Sequence, residues 1–367
     1  MAFVDDIKWM RHALALAARG LGNVAPNPAV GCLLVKGGVI IGRGWTQPGG
    51  RPHAETVALD QAGENTAGAT AFVTLEPCSH FGKTPPCVDA LIKARLSRVV
   101  VAVEDIDSRV NGAGIRKLRA AGVEVTTGVL EAEARAVNAG FFNTVIKDRP
   151  LFSLKIASSL DGKIATATGE SKWITGIQAR RYGHMLRYQH DAILVGVNTV
   201  LADNPDLRCR ITGLEKGSPI RIVLDSSLQT PIDSALFKTA SAMHPVMIIS
   251  TEDKCSPSKV TAVAKIDGVE LVTVANTYDL KMVATILAAK GITRCLIEGG
   301  AQVYASFFRE GLVDVLYHFT AGKAIGAEGI NAIGNLSLAD LAHAPHLKQV
   351  RTQIIGDDLL ATYIQTE

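Results

Sequence analysis

Cysteine is scarce in this chain. Six of 367 residues are cysteine (Cys32, Cys78, Cys87, Cys209, Cys255 and Cys295), too few for a disulfide framework at this length. A reduced, cytoplasmic setting is expected. Aromatic residues make up only 5% and the net charge is only +3, so the stacking platforms and basic surface of a nucleic-acid binder are missing. That small positive balance is compatible with an anionic small substrate. No apolar run reaches membrane-spanning length. The opening MAFVDDIKWMRHALALAARG has two early acids and no cationic n-region, so no secretory signal is expected. Internal repeats and low-complexity segments are absent too. What is present is a globular composition, 47% hydrophobic and 20% charged, in a chain longer than one ordinary core, which predicts two domains.

Ile7, Met10, Leu14 and Ala17 recur at helical spacing and predict a helix over 5–20. Two apolar runs around Lys36-Gly37-Gly38 predict a β-hairpin. Helix and strand patterns then alternate through VEVTTGV, and the strands are continuously apolar, so both faces of their sheet are covered. The first domain is read as a three-layer α/β/α unit over 1–147. The polar stretch Lys147-Asp148-Arg149-Pro150 marks a boundary, with a second α/β domain over 150–367. Its expected strands include DAILVGV, IRIVLD, PVMIIS and TRCLIEGG, with a last strand pair near the C-terminus.

Two cysteines and two histidines crowd into residues 53–87. His53-Ala54-Glu55 is followed by a strand, then Pro77-Cys78, then a polar loop, then Pro85-Pro86-Cys87 and a helix. A catalytic zinc takes three protein ligands and keeps one position open, and His53, Cys78 and Cys87 supply three. Glu55 stands in the same helical turn as His53, placed to move protons without being a ligand. Cys87, entering a helix, is expected to favour its thiolate. One alternative is a buried cysteine pair beside a surface histidine. Another is a structural zinc with His80 as fourth ligand, for which Glu55 has no use. The zinc deaminase signature is His-x-Glu followed by Pro-Cys-x-x-Cys; here eight residues separate Cys78 from Cys87. In that longer loop His80 and Lys83 suit a phosphate, or simply face solvent.

At this point the chain resembles a known family. Pro26-Asn27-Pro28-Ala29-Val30-Gly31, the HAE of 53–55 and EPCSHFGKTPPC are similar to the deaminase half of the bacterial bifunctional riboflavin-biosynthesis deaminase/reductase family. The segments at 159–163 (SLDGK), 169–175 (GESKWIT), 199–205 (TVLADNP) and 297–300 (IEGG) resemble its reductase half. The resemblance implies a cytidine-deaminase-like first domain with zinc on His53, Cys78 and Cys87 and Glu55 as proton shuttle. It implies removal of an amino group from a phosphorylated diaminopyrimidine, with Asn27, His80 and Lys83 at the substrate. Asn27 alone reads as turn chemistry between prolines. Thr46 stands where the family often has histidine, which puts one polar substrate contact in doubt.

For the second domain the resemblance implies a dihydrofolate-reductase-like α/β fold that uses NADPH to reduce the ribosyl group to ribityl. Ala157, Trp173, Thr199, Asp203, Ser226 and the run Gly300, Ala301, Gln302, Val303, Tyr304, Ala305 and Ser306 are implied at the cofactor. Lys155, Ser171, Arg187, Leu207, Arg210 and Glu298 are implied at the substrate, and the reductase domain as the contact of a homodimer or higher homo-oligomer. Independently of the family, a strand running through Glu298 into Gly299-Gly300 and then a helix suits a diphosphate on backbone N–H groups. It is not the Gly-x-Gly-x-x-Gly fingerprint. The segment Gly112-Ala113-Gly114 is set aside because it follows no strand and lacks the third glycine. A guanidinium fork fits phosphate oxygens; without the family, Arg187 and Arg210 read as surface residues and Trp173 as core or rim. The competing functions are a nucleic-acid base deaminase and a zinc-braced scaffold, and Glu55 separates the second, since a scaffold would be indifferent to Glu55→Gln.

Overall fold

The computed structural model describes residues 2–82, 84–106 and 112–365. Lys83, expected at a phosphate, lies outside the described residues. The chain forms two compact units, Met1–Asp148 and Arg149–Glu367.

The first unit opens on α1 (Ala2–Ala17), which starts earlier than the expected helix and passes into a 3-10 turn at Ala18–Gly20. Met10, Ala13, Leu14 and Ala17 are buried, the single stripe that helical periodicity demands. Strand β1 (Gly31–Lys36) turns into β2 (Val39–Trp45) through Gly37 and Gly38, both at positive φ (57° and 76°). A tight two-residue hairpin needs that geometry, and glycine meets it without strain. Then follow α2 (Ala54–Ala62), β3 (Thr70–Val73), α3 (Cys87–Lys93), β4 (Arg98–Val101), α4 (Ala113–Ala120), β5 (Glu124–Thr127), α5 (Glu131–Val137) and α6 (Ala139–Lys147). The sheet order is β2-β1-β3-β4-β5. β1 is antiparallel to both neighbours, whereas β3, β4 and β5 run parallel.

Glycines set the layers. A Cβ on Gly31 would stand 1.9 Å from the Ala13 carbonyl of α1. A Cβ on Gly44 would stand 1.9 Å from the Ala54 carbonyl of α2. Gly44 is cross-strand partner to Cys32, the neighbour of Gly31. Successive strand residues face opposite sides, so α1 lies on one face of the sheet and α2 on the other. The backbone of α2 is thus pressed onto β2 with no room for a methyl group. Gly44→Ala is expected to displace α2, and with it His53 and Glu55, so that the purified protein loses its zinc by elemental analysis. Full metal content in that variant would mean α2 is not seated by this contact.

The second unit begins with β6 (Leu151–Ser158) and β7 (Lys163–Ala165), then α7 (Ile177–Tyr188), β8 (Ala192–Gly196), α8 (Val197–Asp203) and β9 (Ile220–Leu224). It continues through α9 (Ala235–Lys238), β10 (Val246–Thr251), α10 (Pro257–Val263), β11 (Val269–Val274), α11 (Leu280–Ala289), β12 (Arg294–Ile297) and α12 (Ala301–Arg309). β13 (Val315–Thr320), β14 (Ile330–Asn331), β15 (Leu347–Ile355) and β16 (Asp358–Gln365) complete it. The main sheet is ordered β11-β10-β9-β8-β12-β6-β13-β16-β15, and β14 pairs separately with β7. The strands from β11 to β13 run parallel. The closing β13-β16-β15 group is antiparallel. β8 and β10 are buried at every position, as central strands between two helical layers must be. Parallel strands align their C-terminal ends, and in such sheets ligands bind there.

Candidate active site

His53 sits at the N-cap of α2 with extended backbone (φ −71°, ψ 160°), so its side chain leaves the helix start instead of packing along it. Its Nδ1 lies 3.3 Å from the Cys87 sulfur and 3.7 Å from that of Cys78. The three donor atoms all fall within 4.8 Å of one another. Among the described residues the cluster has these three donors only, and His80 is not one of them. Three donors around an open side match a catalytic more than a structural zinc.

Cys78 is held rigidly by its own motif. Glu76, two residues before it, is buried, and its carboxylate accepts from the N–H groups of Gly112 (2.9 Å), Gly114 (2.8 Å), Asp105 (3.2 Å) and Ile115 (3.3 Å). This ties the exit of β3 to the start of α4. Nothing in the sequence marks this role, because the partner N–H groups lie 29 to 39 residues further along the chain.

The electrostatics also fit a dication. The hydrogen bond with Cys87 draws the Cys78 thiol down to about 4, against the opposing effect of burial. The Cys87 N–H, at the start of α3, donates to the Cys78 sulfur at 3.3 Å. The helix terminus therefore serves Cys78, and not Cys87 as expected from sequence. Cys87 itself is pushed up, first by the Cys78 sulfur and then by burial. A second thiolate beside the first needs a positive charge between them, which zinc provides. Glu55 is 3% exposed and touches Cys87. Burial, and after it the Cys78 charge, push its carboxyl up to about 7, the range suited to an acid–base group at neutral pH.

Around this set, Asn27 donates from Nδ2 to the Gly50 carbonyl at 2.8 Å, which leaves its side-chain oxygen free of that bond. His80 is partly buried, with Nδ1 lacking a hydrogen-bond partner.

In the second unit, the adjacent strands β9, β8 and β12 end around a cavity of ≈ 540 Å³. Of the residues expected at a cofactor, Thr199, Ser226, Gly300, Ala301, Gln302, Val303 and Ser306 line it. Gly299 and Gly300 are at positive φ (157° and 85°), and a Cβ on Gly299 would meet Thr199 Oγ1 at 2.8 Å. The glycines therefore let α12 begin hard against α8, so that a helix start, a site suited to anions, lies at the cavity. Tyr304 and Ala305 are buried and are not among its lining; the Tyr304 hydroxyl donates to the Lys155 carbonyl at 2.6 Å. Asp203 is exposed at the end of α8 and Ala157 is partly buried on β6. Thr277, whose hydroxyl meets that of Ser226 at 2.6 Å, and Tyr278 form a wall that the sequence reading missed.

Beside the cavity, Glu298 follows β12. Arg187 on α7 meets it with both arms, Nε–Oε1 2.8 Å and Nη2–Oε2 2.9 Å. Lys155 Nζ stands 3.9 Å from the same carboxylate. Burial alone would raise the Glu298 carboxyl; the charges of Arg187 and Lys155 override it and hold it down to about 2. Burial lowers Lys155, although Glu298 opposes this. Arg187 also donates to the Arg208 carbonyl at 3.1 Å, which fixes the segment carrying Leu207 and Arg210. Leu207 is buried in the apolar core, and Arg210 is exposed with its backbone N–H on His184 Nδ1 at 3.4 Å. Ser171 and Trp173 lie in the loop after β7. Arg180 stacks 4.3 Å from the Trp173 ring, and Lys323 donates to the Trp173 carbonyl at 2.6 Å.

The comparisons with known proteins agree across both units. The family described as the cytidine and deoxycytidylate deaminase zinc-binding region matches residues 4–103. The family described as the RibD C-terminal domain matches residues 150–361. The chain is 42% identical over 355 residues to riboflavin biosynthesis protein RibD of Aquifex aeolicus, covering 97% of each. Acinetobacter baumannii RibD matches in structure with a TM-score of 0.88 at 35% identity, over 100% of both chains. A diaminohydroxyphosphoribosylaminopyrimidine deaminase/5-amino-6-(5-phosphoribosylamino)uracil reductase from Thermotoga maritima matches at 0.87 and 34%, again over 100% of both.

Proposed function

The chain belongs to the RibD family, and from that premise we propose how its own residues divide the two reactions of a riboflavin-biosynthesis deaminase/reductase. The substrates assigned are those named for the Thermotoga maritima relative: a phosphoribosylated diaminopyrimidine for the first unit and its deaminated uracil for the second. The observation that carries the first assignment is the convergence of His53, Cys78 and Cys87 beside a buried Glu55.

His53, Cys78 and Cys87 would hold zinc. When bound there, zinc lowers the pKa of a water ligand toward about 7 and so supplies a nucleophile at neutral pH. Glu55 takes the proton from the attacking water on its carboxylate and passes it to the departing amino nitrogen, which leaves as ammonia. Asn27 orients the pyrimidine through the side-chain oxygen that its bond to Gly50 leaves available. His80 contacts the substrate from the loop that joins the two cysteines, and Lys83 belongs to the same reading.

In the second unit, NADPH when bound would supply the hydride that reduces the sugar carbon. Thr199, Ser226, Gly300, Ala301, Gln302, Val303 and Ser306, which line the cavity, would hold the cofactor, and the start of α12 suits a diphosphate; Tyr304 and Ala305 support the helix from the core. Ala157, Trp173 and Asp203 are assigned to the cofactor by the family pattern, with Trp173 fixed by Arg180 and Lys323. Glu298, held ionised by Arg187, anchors the substrate's hydroxyl groups. Lys155, lowered by burial, is assigned to the opened sugar. Arg210, with Ser171, receives the phosphate from the exposed side. Two domains over 1–147 and 150–367 carry these activities. Self-association through the second unit, as a homodimer or higher homo-oligomer, is part of this reading. So is a cytoplasmic setting, supported by six free cysteines.

Removal of zinc with a chelator is the test. It should abolish ammonia release from the diamino substrate and leave NADPH oxidation on the deaminated substrate unchanged. Loss of both activities, or of neither, would contradict the division.

A further inference from the structure

Thr46 and Arg51 flank the short loop that leads from β2 to the metal ligands, and they are used in opposite ways. Thr46 is 2% exposed and its hydroxyl is spent on the backbone. It accepts from the Val30 N–H (3.0 Å) and donates to the Pro28 carbonyl (3.1 Å). It braces the Asn27 turn and offers nothing to a ligand.

Arg51 reaches outward. Its backbone is fixed by the Asn27–Gly50 hydrogen bond and by the Gln47 N–H on the Pro52 carbonyl at 3.1 Å. Gly50 has φ 83° and no space for a side chain, since a Cβ would meet Asn27 Nδ2 at 2.2 Å. From this fixed base the guanidinium crosses to the segment joining Cys78 to Cys87. Nη1 donates to Thr84 Oγ1 at 2.5 Å, and Nη2 lies 3.2 Å from where a Cβ on Gly82 would stand. One nitrogen of the fork is committed, and the rest of it faces the loop.

Charge balance gives this placement a purpose. A dication, two thiolates and Glu55 in its ionised, proton-accepting form would together leave one net negative charge, which repels a phosphate. One guanidinium cancels it. A planar fork also matches phosphate oxygens better than a point charge does.

We propose that Arg51 is a phosphate-binding residue of the deaminase site, taking the anionic group of the substrate beside Thr84 where Thr46 makes no contact. This rests on the deaminase reading above. The test uses the zinc-loaded full chain as wild type, Arg51→Gln and Arg51→Lys. Ammonia release is measured on the phosphorylated diaminopyrimidine substrate and on its dephosphorylated counterpart, with zinc content and NADPH oxidation on the deaminated substrate as checks of folding. Arg51→Gln should raise the KM for the phosphorylated substrate by about 10- to 100-fold, with kcat little changed and the dephosphorylated substrate unaffected. Arg51→Lys should recover part of the loss. An equal loss on both substrates would make Arg51 a brace for the loop, and no loss would remove it from the site; either overturns the proposal. If Arg51→Gln fails to hold zinc, Arg51→Lys decides by whether it keeps a preference for the phosphorylated substrate. Failure of the wild type on the phosphorylated substrate would instead sink the deaminase reading itself.

Discussion

Glu55→Gln is expected to cut ammonia release by about 10³-fold, the scale of a positioned acid–base group, while the protein keeps its zinc. The glutamine amide fills the same buried space in the first turn of α2. It cannot take the proton of the attacking water or return it to the leaving nitrogen. Glu55 is outside the cluster of metal donors, so metal content should hold. NADPH oxidation on the deaminated substrate should also hold, because that chemistry belongs to the other unit. Zinc lost from the variant would make Glu55 a structural partner of the metal site, and retained ammonia release would remove it from the reaction.

Arg187→Ala is expected to have the largest effect on the second unit. Arg187 and Glu298 form a two-armed pair with side chains 15% and 7% exposed, and the charges of Arg187 and Lys155 are what keep the Glu298 carboxyl ionised. Removing Arg187 leaves the buried carboxylate with Lys155, 3.9 Å away, as its remaining salt-bridge partner among the described residues. Breaking one side of a buried pair costs about 3–5 kcal/mol. Denaturant unfolding of the second unit should shift accordingly, and NADPH oxidation should be lost while ammonia release persists. The folded Glu298 carboxyl sits at about 2 against an ordinary value of 4.5. The pair's contribution is therefore full above the ordinary value and fades as pH falls toward about 2. A double change to leucine at both positions should restore much of the stability and none of the activity. Unchanged stability in Arg187→Ala would show the pair to be screened by solvent.

The metal site was legible in sequence because zinc chemistry dictates residue types, and a helix start and a strand end dictate their order. Gly37-Gly38 announced the β1–β2 hairpin for an equally local reason, the positive φ of both residues. What escaped was set at a distance. The burial of Glu76 under the N–H groups of Asp105, Gly112, Gly114 and Ile115, the Thr277–Tyr278 wall and the nine-strand order with β8 between β9 and β12 are tertiary facts. So is the reach of Arg51 to Thr84. The stretch 300–306 shows a different limit. Seven consecutive residues of a helix cannot all face one ligand, and Tyr304 and Ala305 turn to the core while Gly300, Ala301, Gln302, Val303 and Ser306 meet the cavity. Cys87 was expected to profit from the start of α3, but its N–H points at the Cys78 sulfur. Sequence gives the helix end, but not which sulfur lies before it.

The central claim is that zinc deamination in the first unit precedes NADPH reduction in the second. The most direct measurement is NADPH oxidation by wild type and by Glu55→Gln, each given first the phosphoribosylated diaminopyrimidine and then its deaminated product. Wild type should oxidise NADPH with both substrates and the variant with the deaminated one alone. Oxidation by Glu55→Gln on the diamino substrate at the wild-type rate would contradict the claim, because reduction would then not depend on the deaminase site.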